Sequence, residues 1–203
     1  MLEIDHIEVV REHQLTLSYD VTVKTGCLLI IRGPSGVGKT TLLDAIAGFV
    51  PVRAGQIRWH GQPVEHLPAR NRPVTSMFQS NNLFSHLTVA ENLKLALPHL
   101  TPKELQQRLA EIDLADQNNK LSSQLSGGQA QRVALLASVY RPEPLLLLDE
   151  PFSALDQCTS RQIQYWLKEN VRQLNKTVIL VSHDDTLTRE IFAEQATILE
   201  LSS

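Results

Sequence analysis

Gly33-Pro34-Ser35-Gly36-Val37-Gly38-Lys39-Thr40 is a glycine-spaced turn that closes on Lys-Thr. An apolar run at residues 28–31 precedes it, and Leu42, Leu43, Ile46 and Ala47 follow at helical spacing, with Gly48 as a stop signal. Strand, glycine loop and helix form the context in which G-x-x-x-x-G-K-[ST] cradles phosphate. The glycines let backbone N–H groups turn inward around phosphate oxygens at a helix N-terminus, where the dipole already favours anions. Lys39 adds a point charge for the β- and γ-phosphates, the Thr40 hydroxyl is placed to bind Mg²⁺, and Thr41 completes the loop's contacts.

Outward from this loop, residues 145–150 read Leu-Leu-Leu-Leu-Asp149-Glu150. The unbroken leucines predict a strand buried on both faces, and the carboxylates fall at its end, where ligands bind in open α/β sheets. Asp149 would hold Mg²⁺, directly or through water, and Glu150 would polarise the attacking water. A solvated acidic pair capping the next helix is the alternative, and the upstream glycine loop favours the first reading. A second apolar run at 178–181 and a helical stretch at 159–174 predict parallel strands joined by a crossover helix. Residues 2–10 and 15–23 predict an N-terminal β layer. Between Gln79 and Arg132 the pattern turns helical, with Leu93, Leu95, Leu97, Leu105, Leu109, Ile112 and Leu114 spaced by polar residues and Thr101-Pro102 as a helix start. The expectation is one domain over residues 1–203, with a helical lobe at about 80–135 inserted in its core.

Leu125-Ser126-Gly127-Gly128-Gln129 precedes an apolar helical stretch at 133–139. Ser126 reads as an N-cap and the glycines as donors of exposed N–H groups, a second anion site without its own lysine. An ordinary capped helix would describe the local structure but leave the paired glycines unexplained.

Composition narrows the partners. The 203 residues are 42% hydrophobic, enough for one well-buried core, and the net charge of −3 with dispersed Lys and Arg gives no basic face for nucleic acid. Cys27 and Cys158 lack CxxC spacing, which suggests a reduced, cytosolic setting. Glu3, Asp5 and Glu8 argue against a signal peptide, and no stretch approaches the roughly 20 apolar residues of a spanning helix. If the protein serves a membrane, another chain is expected to cross it.

Taken together, the glycine loop, Leu125-Ser126-Gly127-Gly128-Gln129 and Asp149-Glu150 resemble the ATPase subunit of an ABC transporter over nearly the whole chain. The resemblance implies an α/β P-loop NTPase of ABC type, with a mostly parallel central sheet, an N-terminal antiparallel β layer and an inserted helical lobe. It implies ATP and Mg²⁺ as ligands and ATP hydrolysis as the reaction. Gln79 corresponds to the glutamine that reaches Mg²⁺ and the attacking water, His183 to the histidine that contacts the γ-phosphate, and Ser153-Ala154-Leu155-Asp156 to a loop across the dimer interface. It further implies a homodimer in which Ser126, Gly127, Gly128 and Gln129 of one copy close over the γ-phosphate held by Lys39 of the other, an isologous arrangement. The segment around Leu83, Phe84, Leu87 and Val89 looks most like ATPase subunits of bacterial importers, particularly those for thiamine and similar small solutes. There it would line a groove for an integral permease; as plain apolar residues the same four could belong to the lobe's core. A periplasmic solute-binding protein and a place on the cytoplasmic face of the inner membrane are implied with it.

The chain departs from the family pattern in places. Val10-Arg11-Glu12-His13 stands where many relatives carry an aromatic residue against adenine, so Arg11 or His13 is expected to cover the base, with Tyr19 too far along. Ala130 and Ala137 replace common arginines. The chain ends soon after a strand-like stretch at 197–201, which leaves no room here for a C-terminal regulatory domain. An exporter or lipoprotein-release ATPase would share every catalytic motif. A soluble DNA- or ribosome-acting relative would need a long coiled-coil insertion or two tandem cassettes, and a non-hydrolysing ATP-binding module is disfavoured by Glu150 and His183.

Overall fold

The computed structural model describes residues 1–10, 16–80, 82–182, 185–193 and 196–201, without the side chains of 185–187 and 189. Along them the chain runs β1 (Leu2–Val10), β2 (Thr16–Val23), β3 (Leu28–Arg32), α1 (Lys39–Ala47), β4 (Val52–Trp59), β5 (Gln62–Pro63), β6 (Val74–Met77), α2 (Val89–Ala96), α3 (Pro102–Ala110), α4 (Gly127–Val139), β7 (Leu145–Asp149), α5 (Gln157–Gln173), β8 (Thr177–Val181), α6 (Asp185–Phe192) and β9 (Ala196–Glu200). One sheet has the order β6-β7-β8-β3-β9 with every pairing parallel. The other, β2-β1-β4-β5, is antiparallel throughout. This is the expected α/β architecture, a parallel sheet beside an N-terminal antiparallel layer.

The pleat explains why the central strands read as continuous apolar runs. Leu28, Ile30, Leu146, Leu148, Val178 and Leu180 face one cluster, shared with side chains of α2, α3, α4 and α5. Their neighbours Leu29, Ile31, Leu145, Leu147, Ile179 and Val181 face a second cluster, shared with α1 and the antiparallel sheet. With both faces covered, the interior positions of these strands are all apolar, and buried polar residues fall only at their ends, Thr177 opening β8 and Asp149 closing β7. Helix α1 lies between the sheets, and Leu42, Ala45 and Ile46 are fully buried against Leu2, Ile4, Ile7, Val9 and Ile57.

Helix ends follow local chemistry. Gly48 ends α1 at φ 86°, its N–H bonding to the carbonyls of Asp44 and Ala45. The buried guanidinium of Arg72 reinforces that end, donating to the carbonyls of Ala45 (2.5 Å), Ile46 (2.8 Å), Glu65 (2.8 Å) and Leu67 (3.0 Å). Three helices open with capping boxes: Thr88 with Glu91 on α2, Thr101 with Glu104 on α3, and Ser126 with Gln129 on α4. Asp156 caps α5 through the Thr159 N–H at 3.0 Å, so this helix starts two residues before the predicted 159. Among the described residues, no helix is long and apolar enough to cross a membrane.

Candidate active site

Strands β6, β7, β8 and β3 are parallel neighbours, so the segments leaving their C-terminal ends share one edge. Gln79 follows β6, Asp149 ends β7 with Glu150 after it, Ser182 follows β8, and the glycine loop follows β3. Pairing of Asp149 with Val181 and of Ile31 with Val181 sets these ends level. The result is a pocket of about 230 Å³ with Ser35, Gly36, Gly38, Lys39, Thr40 and Thr41 on one side and Gln79 and Glu150 on the other.

The loop geometry depends on glycine at two points. Gly36 has φ 81° and nothing lies within 4 Å of where a Cβ would stand, so its backbone is open to approach. Gly38 has φ 107°, and a Cβ there would stand 2.5 Å from both Leu17 Cδ1 and Tyr19 Oη. The buried Tyr19 hydroxyl donates to the Gly38 carbonyl at 2.8 Å, supporting the loop from β2. Lys39 Nζ, also buried, donates to the carbonyls of Gly33 (2.7 Å) and Pro34 (2.9 Å), which holds a cation over the turn. No side chain caps the N-terminus of α1 and no acidic residue lies in its first turn, so the helix itself supplies nothing against the positive end of its dipole.

Hydrogen bonds join the two halves of the site. The Thr40 hydroxyl donates to Asp149 Oδ2 at 2.9 Å, and Gln79 Nε2 donates to Glu150 Oε2 at 3.2 Å. Thr40 and Asp149 thus present hard oxygen donors from two separate elements, the kind of ligand Mg²⁺ takes. One helical turn past Thr40, burial and then the Asp149 charge push the Asp44 carboxyl above its ordinary value.

Glu150 sits at φ 50°, a conformation that costs a non-glycine residue about 1–3 kcal/mol and persists only where surroundings hold it. Its N–H donates to the Val181 carbonyl at 3.0 Å. Its own carbonyl accepts from Ser153 Oγ (3.0 Å) and from Gln131 Nε2 (3.0 Å), and Gln131 Oε1 accepts the Ala154 N–H at 2.9 Å. No periodicity or motif singles out Gln131 in the sequence, and its role is visible only once α4 lies against the turn after β7. The support from Tyr19 and the anchor at Arg72 were likewise not legible.

Ser126, Gly127, Gly128 and Gln129 lie apart from the pocket that holds Lys39 and Glu150. Ser126 Oγ accepts the Gln129 N–H at 3.2 Å, and Gln129 Oε1 accepts the Ser126 N–H at 3.0 Å. A Cβ on Gly128 would stand 2.9 Å from the Ala154 carbonyl oxygen, so close packing of α4 on residues 154–155 calls for glycine there. Arg11, His13 and His183 lie outside the described residues.

The apolar segment before α2 divides in two. Val89 is fully buried and Leu83 packs on the same core, while Phe84 is 58% exposed. Phe49 and Phe78 are exposed as well, with ring centroids 5.5 Å apart, beside a hollow of about 240 Å³ that Ala137 also lines. Ala130 lines the neighbouring hollow together with Gln79, so short side chains at both positions leave space beside this segment.

The ABC transporter family model matches residues 17–153. The thiamine import ATP-binding protein ThiQ of Photorhabdus laumondii is 40% identical over 190 residues, covering 91% of this chain and 80% of that protein. ThiQ of Escherichia coli K12 is 41% identical over 177 residues, covering 84% and 76%. A dimeric post-hydrolysis structure of the ATP-binding cassette MJ0796, bound to ADP and phosphate, superposes with a TM-score of 0.85 at 27% identity, covering 100% of this chain and 97% of that one. With a phosphate loop, an acidic strand end and a capped glycine turn in place, the chain belongs to the ABC transporter family as one of its ATP-hydrolysing subunits.

Proposed function

We propose that this subunit drives import of thiamine or a similar small solute, working as a pair of copies beneath an integral permease on the cytoplasmic face of the inner membrane, with a periplasmic solute-binding protein in the same system. The observation that carries the catalytic reading is the single pocket lined by Lys39, Thr40, Gln79 and Glu150, with Asp149 hydrogen-bonded to Thr40 at its edge. The thiamine reading is supported by ThiQ relatives at about 40% identity.

In this mechanism the N–H groups of residues 35–41 bind phosphate oxygens, and the Lys39 ammonium exchanges its loop carbonyls for the β- and γ-phosphates of ATP. Thr40, Asp149 and Gln79 would hold Mg²⁺, which when bound neutralises charge on the phosphates. The Glu150 carboxylate takes a proton as water oxygen bonds to the γ-phosphorus and the bond to the bridging oxygen of ADP breaks. The Gln79 amide, already donating to Glu150, orients that carboxylate. His183 would meet the γ-phosphate and Arg11 the base. Ser126, Gly127, Gly128 and Gln129 of the second copy would cover the same phosphate, so ATP favours the closed pair and hydrolysis releases it. The catalytic unit is one domain over residues 1–203 whose helical lobe, at about 80–135, meets the permease through the Leu83 to Val89 region, where Phe84 is exposed, together with the exposed Phe49 and Phe78 beside the lobe.

Glu150→Gln tests this. It should bind ATP and accumulate as an ATP-dependent dimer in size-exclusion chromatography while losing nearly all turnover; turnover at close to the normal rate would overturn the assigned base. Cells lacking the subunit should lose uptake of labelled thiamine, restored by the normal chain and not by Glu150→Gln. Unchanged uptake in those cells would sink the solute and leave the ATPase standing.

A further inference from the structure

From α4, the Gln131 side chain makes hydrogen bonds to both sides of the turn that follows β7. Its amide nitrogen donates to the Glu150 carbonyl at 3.0 Å and to Ser153 Oγ at 3.2 Å, while its amide oxygen accepts the Ala154 N–H at 2.9 Å. The turn it holds begins at a non-glycine residue with positive φ, the feature of this strand end most in need of external restraint. Gln131 also sits one helical turn beyond Gly127 and Gly128, and Gly128 meets the Ala154 backbone too closely to tolerate a Cβ. The opening of α4 and residues 150–154 are therefore packed as one unit, and Gln131 is its polar fastener.

We infer that Gln131 is a positioning residue: it keeps the Glu150 carboxylate aimed into its own nucleotide pocket and ties that aim to the position of the Ser126–Gly128 turn, so that a phosphate engaged by that turn in the paired copy is sensed at Glu150. The inference rests on the reading of Glu150 as the group that accepts the proton from water. Gln131 touches neither the phosphate loop nor Thr40, so it acts on the rate and not on ATP binding.

The test uses the purified full chain carrying Gln131→Met, which keeps length and removes the donor and the acceptor, and Gln131→Glu, which keeps the acceptor for Ala154 and loses the donor to Glu150. Both should lower kcat for ATP at least tenfold with KM within about twofold of normal, and with a melting temperature no more than about 5 °C below normal. In a Glu150→Gln background, Gln131→Met should cause no further loss, because both changes disable one function. A kcat within twofold of normal for Gln131→Met would overturn the inference. A parallel loss of ATP binding and melting temperature, or a multiplicative loss on top of Glu150→Gln, would assign Gln131 to general stability and overturn it as well. If Glu150→Gln itself turned over normally, the reading of Glu150 would fall first, a result distinct from any obtained with the Gln131 variants.

Discussion

Arg72→Ala removes the anchor at the far end of the helix that carries the phosphate loop. Arg72 is 6% exposed and its guanidinium donates to four carbonyls, two of them, on Ala45 and Ile46, from the last turn of α1. A hydrogen bond to a charged group contributes about 1.5–3 kcal/mol, but four on one side chain do not add, and burial of the cation itself opposes them. Removing the donor leaves each buried carbonyl short of a partner at about 1–3 kcal/mol, partly recovered by water and by the Gly48 N–H on Ala45, so the loss should be about 3–5 kcal/mol against a total stability of about 5–15 kcal/mol. At about 2–4 °C per kcal/mol for a chain of this size, the melting temperature should fall by roughly 6–20 °C. Urea unfolding should show a lower midpoint at unchanged slope. Arg72→Lys keeps one charge without the planar fork and should lose about half as much. Well below its melting temperature the Ala variant should still bind ATP, since Lys39 and Thr40 keep their own contacts. A loss below about 1 kcal/mol for Arg72→Ala, or a Lys variant as stable as the original, would refute the anchor.

The raised Asp44 carboxyl makes the folded chain bind a proton more tightly than the unfolded one, so its ionisation destabilises the fold above the folded pKa and contributes nothing below the ordinary value of 3.8. Asp44→Asn should accordingly raise the melting temperature of the nucleotide-free chain at pH 7, with the gain shrinking as pH falls toward 4; a gain independent of pH would point to packing instead. Phe78→Glu or Phe84→Glu should fold, bind ATP and hydrolyse it as the isolated subunit, yet fail to co-purify with or energise the permease, and full solute uptake would remove these rings from the interface.

Much of this molecule was legible because its strongest signals are local. Three glycines before Lys39-Thr40, a leucine run ending in Asp149-Glu150, Gly48 after α1 and Thr101-Pro102 before α3 each specify a backbone conformation by themselves. Strand β4 escaped because Gly55 interrupts it, packing at φ 80° against the Asp5 and His6 carbonyls where the β1 register shifts. Helix α2 was absorbed into a general helical region even though Thr88 and Glu91 carry a capping box. Within the site, Lys39 and Asp149 were visible because their chemistry belongs to a motif. Gln131, Tyr19 and Arg72 were not, because each acts on a partner 19 or more residues away in sequence, and only the fold brings those partners within reach.

The capping boxes of α2 and α3 close on a glutamate and that of α4 on a glutamine, and the exchange of carboxylate for amide changes the field at the helix mouth. Glu91 and Glu104 complete their boxes with a carboxylate, held below its usual range by the Thr88 and Thr101 hydrogen bonds, so α2 and α3 begin with their dipoles neutralised. Helix α4 fills the equivalent hydrogen bond from Gln129, an amide, and brings no charge. Its opening turn is capped in the same way as the others but keeps the field of roughly half a positive charge that an aligned helix projects. Of these three helix mouths, the uncharged one alone stays attractive to an incoming anion, while the other two repel or ignore it.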